Sequence, residues 1–84
     1  MRDHLPLNAL RAFEASARHL NFTRAGLELH VSQAAVRQQV RLLENLLGIT
    51  LFKRQPRGLL LTEEGQHLLP VVNDAFNRMA SVLH

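Results

Sequence analysis

Apolar residues recur at three- and four-residue steps along most of this chain, and the rhythm breaks once, around residues 48–61. Leu10, Phe13, Ala17 and Leu20 fall at 3-4-3 spacing. They predict the core stripe of a first helix, capped by Asn8 and running to about His19. Asn21 or Thr23 suits the cap of a short second helix over about 23–29, in which Ala25 and Gly26 allow close helix–helix approach. Leu29-His30-Val31 reads as a turn, with Val31 plugging the core. Ser32 is a good N-cap for a third helix over about 33–47. Val36, Val40, Leu43 and Leu47 follow at 4-3-4 spacing and predict its buried face. At about 100° per residue, Ala34, Arg37, Gln38 and Arg41 lie roughly opposite that stripe. Gly48 then ends the helix in the left-handed conformation that glycine tolerates.

The break itself has strand character. Ile49-Thr50-Leu51-Phe52-Lys53-Arg54 predicts one strand, Gln55-Pro56-Arg57-Gly58 a turn, and Leu59-Leu60-Leu61 the return strand. This makes a two-stranded wing with Arg57 at its tip and Arg54 near its base. Thr62 caps a last helix whose first turn carries Glu63 and Glu64, favourable to the helix dipole. Pro70 lies inside that helix and should bend it. Leu69, Val72, Phe76, Met79 and Leu83 form a heptad seam, flanked by Leu68, Val71, Ala75 and Val82. Either this is one wide core stripe, or one flank covers the domain and the other pairs with a second subunit. In so short a chain, the second reading is favoured.

At 84 residues the chain holds one domain with a limited core. Absence of Cys removes disulfides and thiolate metal sites and fits a reducing cytoplasm. His4, His19, His30, His67 and His84 include no pair at ligand spacing, so no metal and no cofactor is expected. No apolar run approaches the roughly 20 residues of a membrane span. The opening Met1-Arg2-Asp3-His4-Leu5-Pro6 lacks the apolar core of a signal peptide. The net charge of +3 is unevenly spread: residues 1–58 hold nine Lys or Arg against four acids (+5), and residues 59–84 one against three (−2). A basic head fits a polyanion such as DNA.

The second and third helices together have the form of two helices joined by a tight turn, about 23–42. The third packs by one face and offers Gln and Arg on the other, as a helix must if it reads base edges in a groove. Arg37 can give two donors to a guanine edge, and Gln33 or Gln38 can pair with adenine. The amides at the third helix's start, with Ser32, suit a phosphate. Arg57 on a protruding turn suits backbone or minor groove.

The ordered set Leu7-Asn8-Ala9-Leu10-Arg11-Ala12-Phe13, Phe22-Thr23-Arg24-Ala25, Val31-Ser32-Gln33-Ala34-Ala35-Val36, Leu42-Leu43-Glu44, Leu47-Gly48, Leu51-Phe52-Lys53-Arg54 and Leu61-Thr62-Glu63-Glu64-Gly65 resembles the amino-terminal domain of LysR-type transcriptional regulators. The opening through Leu20, with Arg57-Gly58-Leu59 and Leu68-Leu69-Pro70-Val71, is similar to the AmpR-type activators of β-lactamase genes. Regulators of glycine cleavage share much of that opening.

The resemblance implies a mainly α fold: a winged helix–turn–helix of three helices and a two-stranded wing over 1–61, then a long linker helix over 62–84 that pairs subunits. It implies Gln33, Ala34, Arg37 and Gln38 facing the groove, Thr23, Arg24 and Ser32 holding phosphates, and Arg54 and Arg57 in the wing. Arg41, opposite the apolar stripe, joins them. The seam Leu69, Val72, Phe76, Met79 and Leu83 would be the dimer interface. The effector domain usual in the family lies outside these 84 residues; any small-molecule effector, and a tetramer, would depend on it. Two positions depart from the family's habit: Arg37 stands where a small Ser is common, and Gly26 where Ala is usual. Gly26 lowers helix propensity by roughly 1 kcal/mol.

These readings predict a cytoplasmic regulator that binds double-stranded DNA as a dimer on an interrupted palindrome. The rival is a winged-helix module that binds another protein with the same helix. An enzyme is disfavoured: there is no Gly-rich phosphate loop and no Ser or Cys nucleophile motif, and adjacent Glu63 and Glu64 point about 100° apart.

Overall fold

The computed structural model describes residues 4–84; Met1, Arg2 and Asp3, part of the segment inspected above for a leader, lie outside the described residues. The element order is α1 (Leu7–His19), α2 (Phe22–Leu29), α3 (Gln33–Leu47), β1 (Phe52–Gln55), β2 (Gly58–Leu61) and α4 (Glu63–Leu83). Three helices thus precede a hairpin and a fourth helix, as the apolar rhythm predicts.

Helix α1 is the centre. Its small residues let neighbours approach closely on two sides. Ala9, Phe13 and Ala17 pack with Leu43, Leu51 and Val72, while Ala12 and Ala15 pack with Ala25, Val36 and Val40. Phe13 is wholly buried. Asn8 does not cap this helix: Pro6 occupies the cap position, with no side-chain hydrogen bond, and Asn8 sits exposed inside the first turn. The first amide of the helix is met by backbone instead: the Leu7 N–H donates to the Leu5 carbonyl at 2.9 Å. Leu20, expected in the stripe, is instead the left-handed C-cap (φ 50°) and is exposed. Its geometry turns the chain into α2.

Asn21 caps α2, its Oδ1 accepting from the Arg24 N–H at 2.9 Å. The helix ends at left-handed His30. The Gly26 carbonyl accepts from the Val31 N–H at 3.0 Å. A Cβ on Gly26 would stand only 2.7 Å from the Val31 carbonyl oxygen. The lost helix propensity therefore has a packing reason: the turn closes directly on this glycine. That closure also holds Val31 at the surface, 48% exposed, so it does not plug the core.

Ser32 caps α3, with Oγ accepting from the Ala35 N–H at 3.0 Å. Val36, Val40 and Leu43 are buried as the spacing predicts, but Leu47 is exposed, because the helix end runs past its neighbours. Gly48 takes φ 70°, and the Glu44 carbonyl accepts from both Gly48 and Ile49. That double cap pulls Ile49 back to the helix, and Ile49–Leu51 stay outside the strand. Leu51 is wholly buried, its N–H donating to the Glu44 carboxylate at 2.7 Å.

The wing pairs antiparallel: Phe52 with Leu61, Lys53 with Leu60, Arg54 with Leu59, Gln55 with Gly58. Arg54 therefore lies one pair from the turn, not at the wing's base. Thr62 locks wing to helix. Its hydroxyl donates to the Thr50 carbonyl at 2.7 Å and accepts from the Gly65 N–H at 3.0 Å.

Helix α4 continues through Pro70. Val72 is buried in the α1 cluster, and Leu68, Leu69 and Phe76 pack against it. The five-residue seam is thus divided. Leu69, Val72 and Phe76 cover this chain's own core, while Met79 and Leu83 stay exposed, joined by Val71 and Val82 of the other flank. Among the described residues, no helix is long and apolar enough to cross a membrane.

Candidate nucleic-acid interface

The start of α2, the first turns of α3 and the wing enclose an open groove. Thr23, Gln33, Arg37 and Arg54 line it together, with Asn21, Phe22 and Gln55. The groove continues along α3, where Arg41 and Glu44 join Arg37, Arg54 and the Phe52 ring. Five positions singled out in the sequence therefore share one continuous concavity: Thr23, Gln33, Arg37, Arg41 and Arg54. Arg57 lies beyond it, on the outer side of the wing with Leu60. Ala34 and Gln38 are exposed on α3, outside both stretches of the groove, and so is Arg24 on α2.

Local hydrogen bonding sets what each group can still offer. The Ser32 oxygen is occupied as a cap acceptor, but its hydroxyl proton remains available. The Arg24 backbone N–H is committed to Asn21, and the side chain is exposed. Arg24, Arg37, Arg41, Lys53, Arg54 and Arg57 form no ion pair among the described residues. Two of the three described acids of the head are placed elsewhere. Glu14 and Glu28 both pair with Arg18, and Glu28 also meets His19 Nε2 at 2.8 Å. Hydrogen bonds from Arg18, then His19, pull the Glu28 carboxyl down to about 2. Glu44, in the groove, is tied to the Leu51 N–H. This segregation leaves Arg37, Arg41 and Arg54 uncompensated by ion pairs along the groove, which attracts a polyanion more strongly than the net charge implies.

Arg37 differs from the other cations. It is only half-exposed, and its Cζ lies 5.3 Å from the centroid of the Phe22 ring. Its Nε is buried without a hydrogen-bond partner. Helical spacing explains this, because 100° from Val36 is the flank of α3 rather than the side opposite the core. Sequence reasoning missed Phe22 and Glu44. Fifteen residues separate Phe22 from Arg37, so no periodicity links them, and Glu44 becomes a groove residue only through the loop it caps.

Residues 7–66 match the family model described as bacterial regulatory helix-turn-helix protein, lysR family. The chain is 72% identical over 83 residues to a carbapenem-hydrolyzing beta-lactamase transcriptional activator of Serratia marcescens, covering 99% of this chain and 28% of that protein. It is 68% identical over 83 residues to the HTH-type transcriptional activator AmpR of Pseudomonas aeruginosa, with the same coverage. The chain thus spans little more than a quarter of the length of these curated relatives. Among solved structures, it is similar to the CbnR DBD–DNA complex, with TM-score 0.80 and 32% identity over 89% of this chain and 86% of that one. It is also similar to the BenM DBD/catB site 1 DNA complex, with TM-score 0.86 and 28% identity over 92% and 86% of the two chains.

Proposed function

The chain belongs to the LysR family of bacterial regulatory helix-turn-helix proteins, and on that premise we propose that it binds double-stranded DNA sequence-specifically through α3 and the wing. The observation that carries this is the unpaired cationic groove where Thr23, Gln33, Arg37, Arg41 and Arg54 meet beside the α3 N-terminus. In this reading Gln33, Ala34, Arg37, Gln38 and Arg41 face base edges. Thr23, Arg24 and Ser32 hold phosphates, and Arg54 and Arg57 grip the flanking backbone or minor groove. The activator names of its relatives support control of a β-lactamase gene as the biological role. The protein acts as a cytoplasmic regulator rather than an enzyme. Effector binding, and any tetramer, belong to sequence outside these 84 residues.

The head, residues 1–61, contacts the duplex, and residues 62–84 join two subunits. The pairing surface is the flank left uncovered on α4: Val71, Met79, Val82 and Leu83. Leu69, Val72 and Phe76 support it from beneath. A two-fold dimer fits an interrupted palindrome with half-site centres about 34–36 Å apart, or a multiple of that.

Selection of bound sites from random duplex DNA, repeated over a salt range, tests the reading. Affinity for the selected site should fall steeply with salt as bound Arg and Lys displace counterions. Arg37→Ala should lose about 1–3 kcal/mol and relax one position per half-site, while Arg57→Ala weakens all sequences alike. Salt-independent binding, or no preference over random DNA, would overturn it in favour of a protein-interaction module.

A further inference from the structure

We propose that Phe22 is a specificity-determining positioning residue, whose ring holds the Arg37 guanidinium so that only its two terminal nitrogens face a base edge. This rests on the reading of α3 as the DNA-facing helix. Phe22 opens α2 and is itself fixed. It meets the Phe52 ring edge-on at 5.8 Å and 73°, and Phe52 lies 5.7 Å from the wholly buried Phe13 ring. A chain of three rings therefore runs from the core to the groove, and Arg37 caps its outer end at 5.3 Å. A cation over an aromatic face is attracted by the ring's quadrupole, and arginine keeps its in-plane donors free while stacked.

Among the described residues, no hydrogen bond or ion pair holds this guanidinium. The one carboxylate lining the same groove, Glu44, accepts from the Leu51 N–H. Arg37 Nε is buried without a partner, so the side-on pairing that would use Nε is blocked. What remains is the end-on fork of the terminal nitrogens, which matches the two acceptors on the major-groove edge of guanine. A guanidinium already oriented in the free protein loses little freedom on binding and tolerates few alternative partners. Phe22 thus acts on base choice without touching DNA. Arg41, exposed on the same helix, stacks on no ring among the described residues, so its guanidinium is not held in one orientation.

Two measurements on the 84-residue chain test this. In the free protein, the Arg37 side-chain protons should be shifted upfield by the ring current in NMR spectra, and Phe22→Leu should abolish the shift. With a selected duplex and the same duplex changed at the base pair assigned to Arg37, Phe22→Leu should reduce discrimination at that pair by about two- to fivefold. It should leave the other pairs unchanged and add nothing in an Arg37→Ala background. Phe22→Tyr keeps the ring and should retain both the shift and the discrimination, which guards against a folding defect in the leucine variant. Equal weakening of both duplexes by Phe22→Leu, or the same loss with and without Arg37, would overturn the proposal. So would absence of the ring-current shift in the wild type. If the wild type prefers no duplex at all, the specificity role falls with the DNA reading, and a persisting shift then places the failure in that reading rather than in the platform.

Discussion

Helices α1 and α4 carry equally plain apolar stripes, yet one is consumed by the core and the other is not. In its 13 residues α1 buries Ala9, Ala12, Phe13, Ala15, Ser16 and Ala17; in its 21 residues α4 buries only Gly65 and Val72. The difference is position. Helix α1 is covered on one side by α2 and α3 and on another by α4. Helix α4 lies on the outside and outruns the domain, so among the described residues little covers its last turns: Val82 and Leu83 are more than four-fifths exposed. An amphipathic pattern thus states that a face seeks cover, and not whether its own domain supplies it.

The largest test sets the two helices directly against each other. Phe13→Ala should cost about 3–5 kcal/mol of stability, since no neighbour can close over the vacated volume. Val82→Asp should leave the melting of the head within about 0.5 kcal/mol, yet shift the protein from dimer to monomer in sedimentation. A Val82→Asp protein that sediments like wild type would remove this flank from the pairing surface.

A smaller effect probes the joint between the two regions. A Cβ on Gly65 would collide with the Leu51 carbonyl and approach Leu61 Cδ2 at 2.9 Å. Gly65→Ala should therefore cost about 1–3 kcal/mol in denaturant melts, because backbone must give way. An unchanged midpoint would show that α4 can slide on the wing without loss.

The smallest lies on the head's surface. Hydrogen bonds from Arg18 and then His19 lower the Glu28 carboxyl from its ordinary 4.5 to about 2. A depressed acid stabilises fully above its unfolded value, and that contribution is lost as pH falls from about 4.5 toward 2. Glu28 is 38% exposed, so screening keeps the gain to about 0.5 kcal/mol or less. Melts of wild type and Glu28→Gln should differ slightly at pH 6 and converge near pH 2. A gap that widens in acid would contradict the assignment.

Much of this was legible because its causes are local. Ser32, Thr62 and Gly48 stop and start helices through atoms three or four residues away, and the structure gives each that role. Val36, Val40 and Leu43 are buried together because helical spacing puts them on one side. The winged helix–turn–helix order followed from such signals. The expectations that failed turned on backbone hydrogen bonds at the element ends, which the spacing of apolar side chains does not report. Asn8 lost its cap role to Pro6, Val31 was held at the surface by the Gly26 carbonyl, and Ile49 was drawn back by Glu44.

The same division runs through the candidate site. The sequence by itself determined which cations exist, which helix bears them and that the head is basic, because these depend on composition and on a 100° step. Only the tertiary structure decided that Arg37 rests on Phe22, that Arg54 lies near the wing's turn, and that Val72 and Phe76 belong to this chain's own core. The contacts of Arg37 with Phe22, and of Val72 and Phe76 with the core, join residues far apart in the chain. Their partners are chosen by how the helices pack, and no spacing within one helix encodes that.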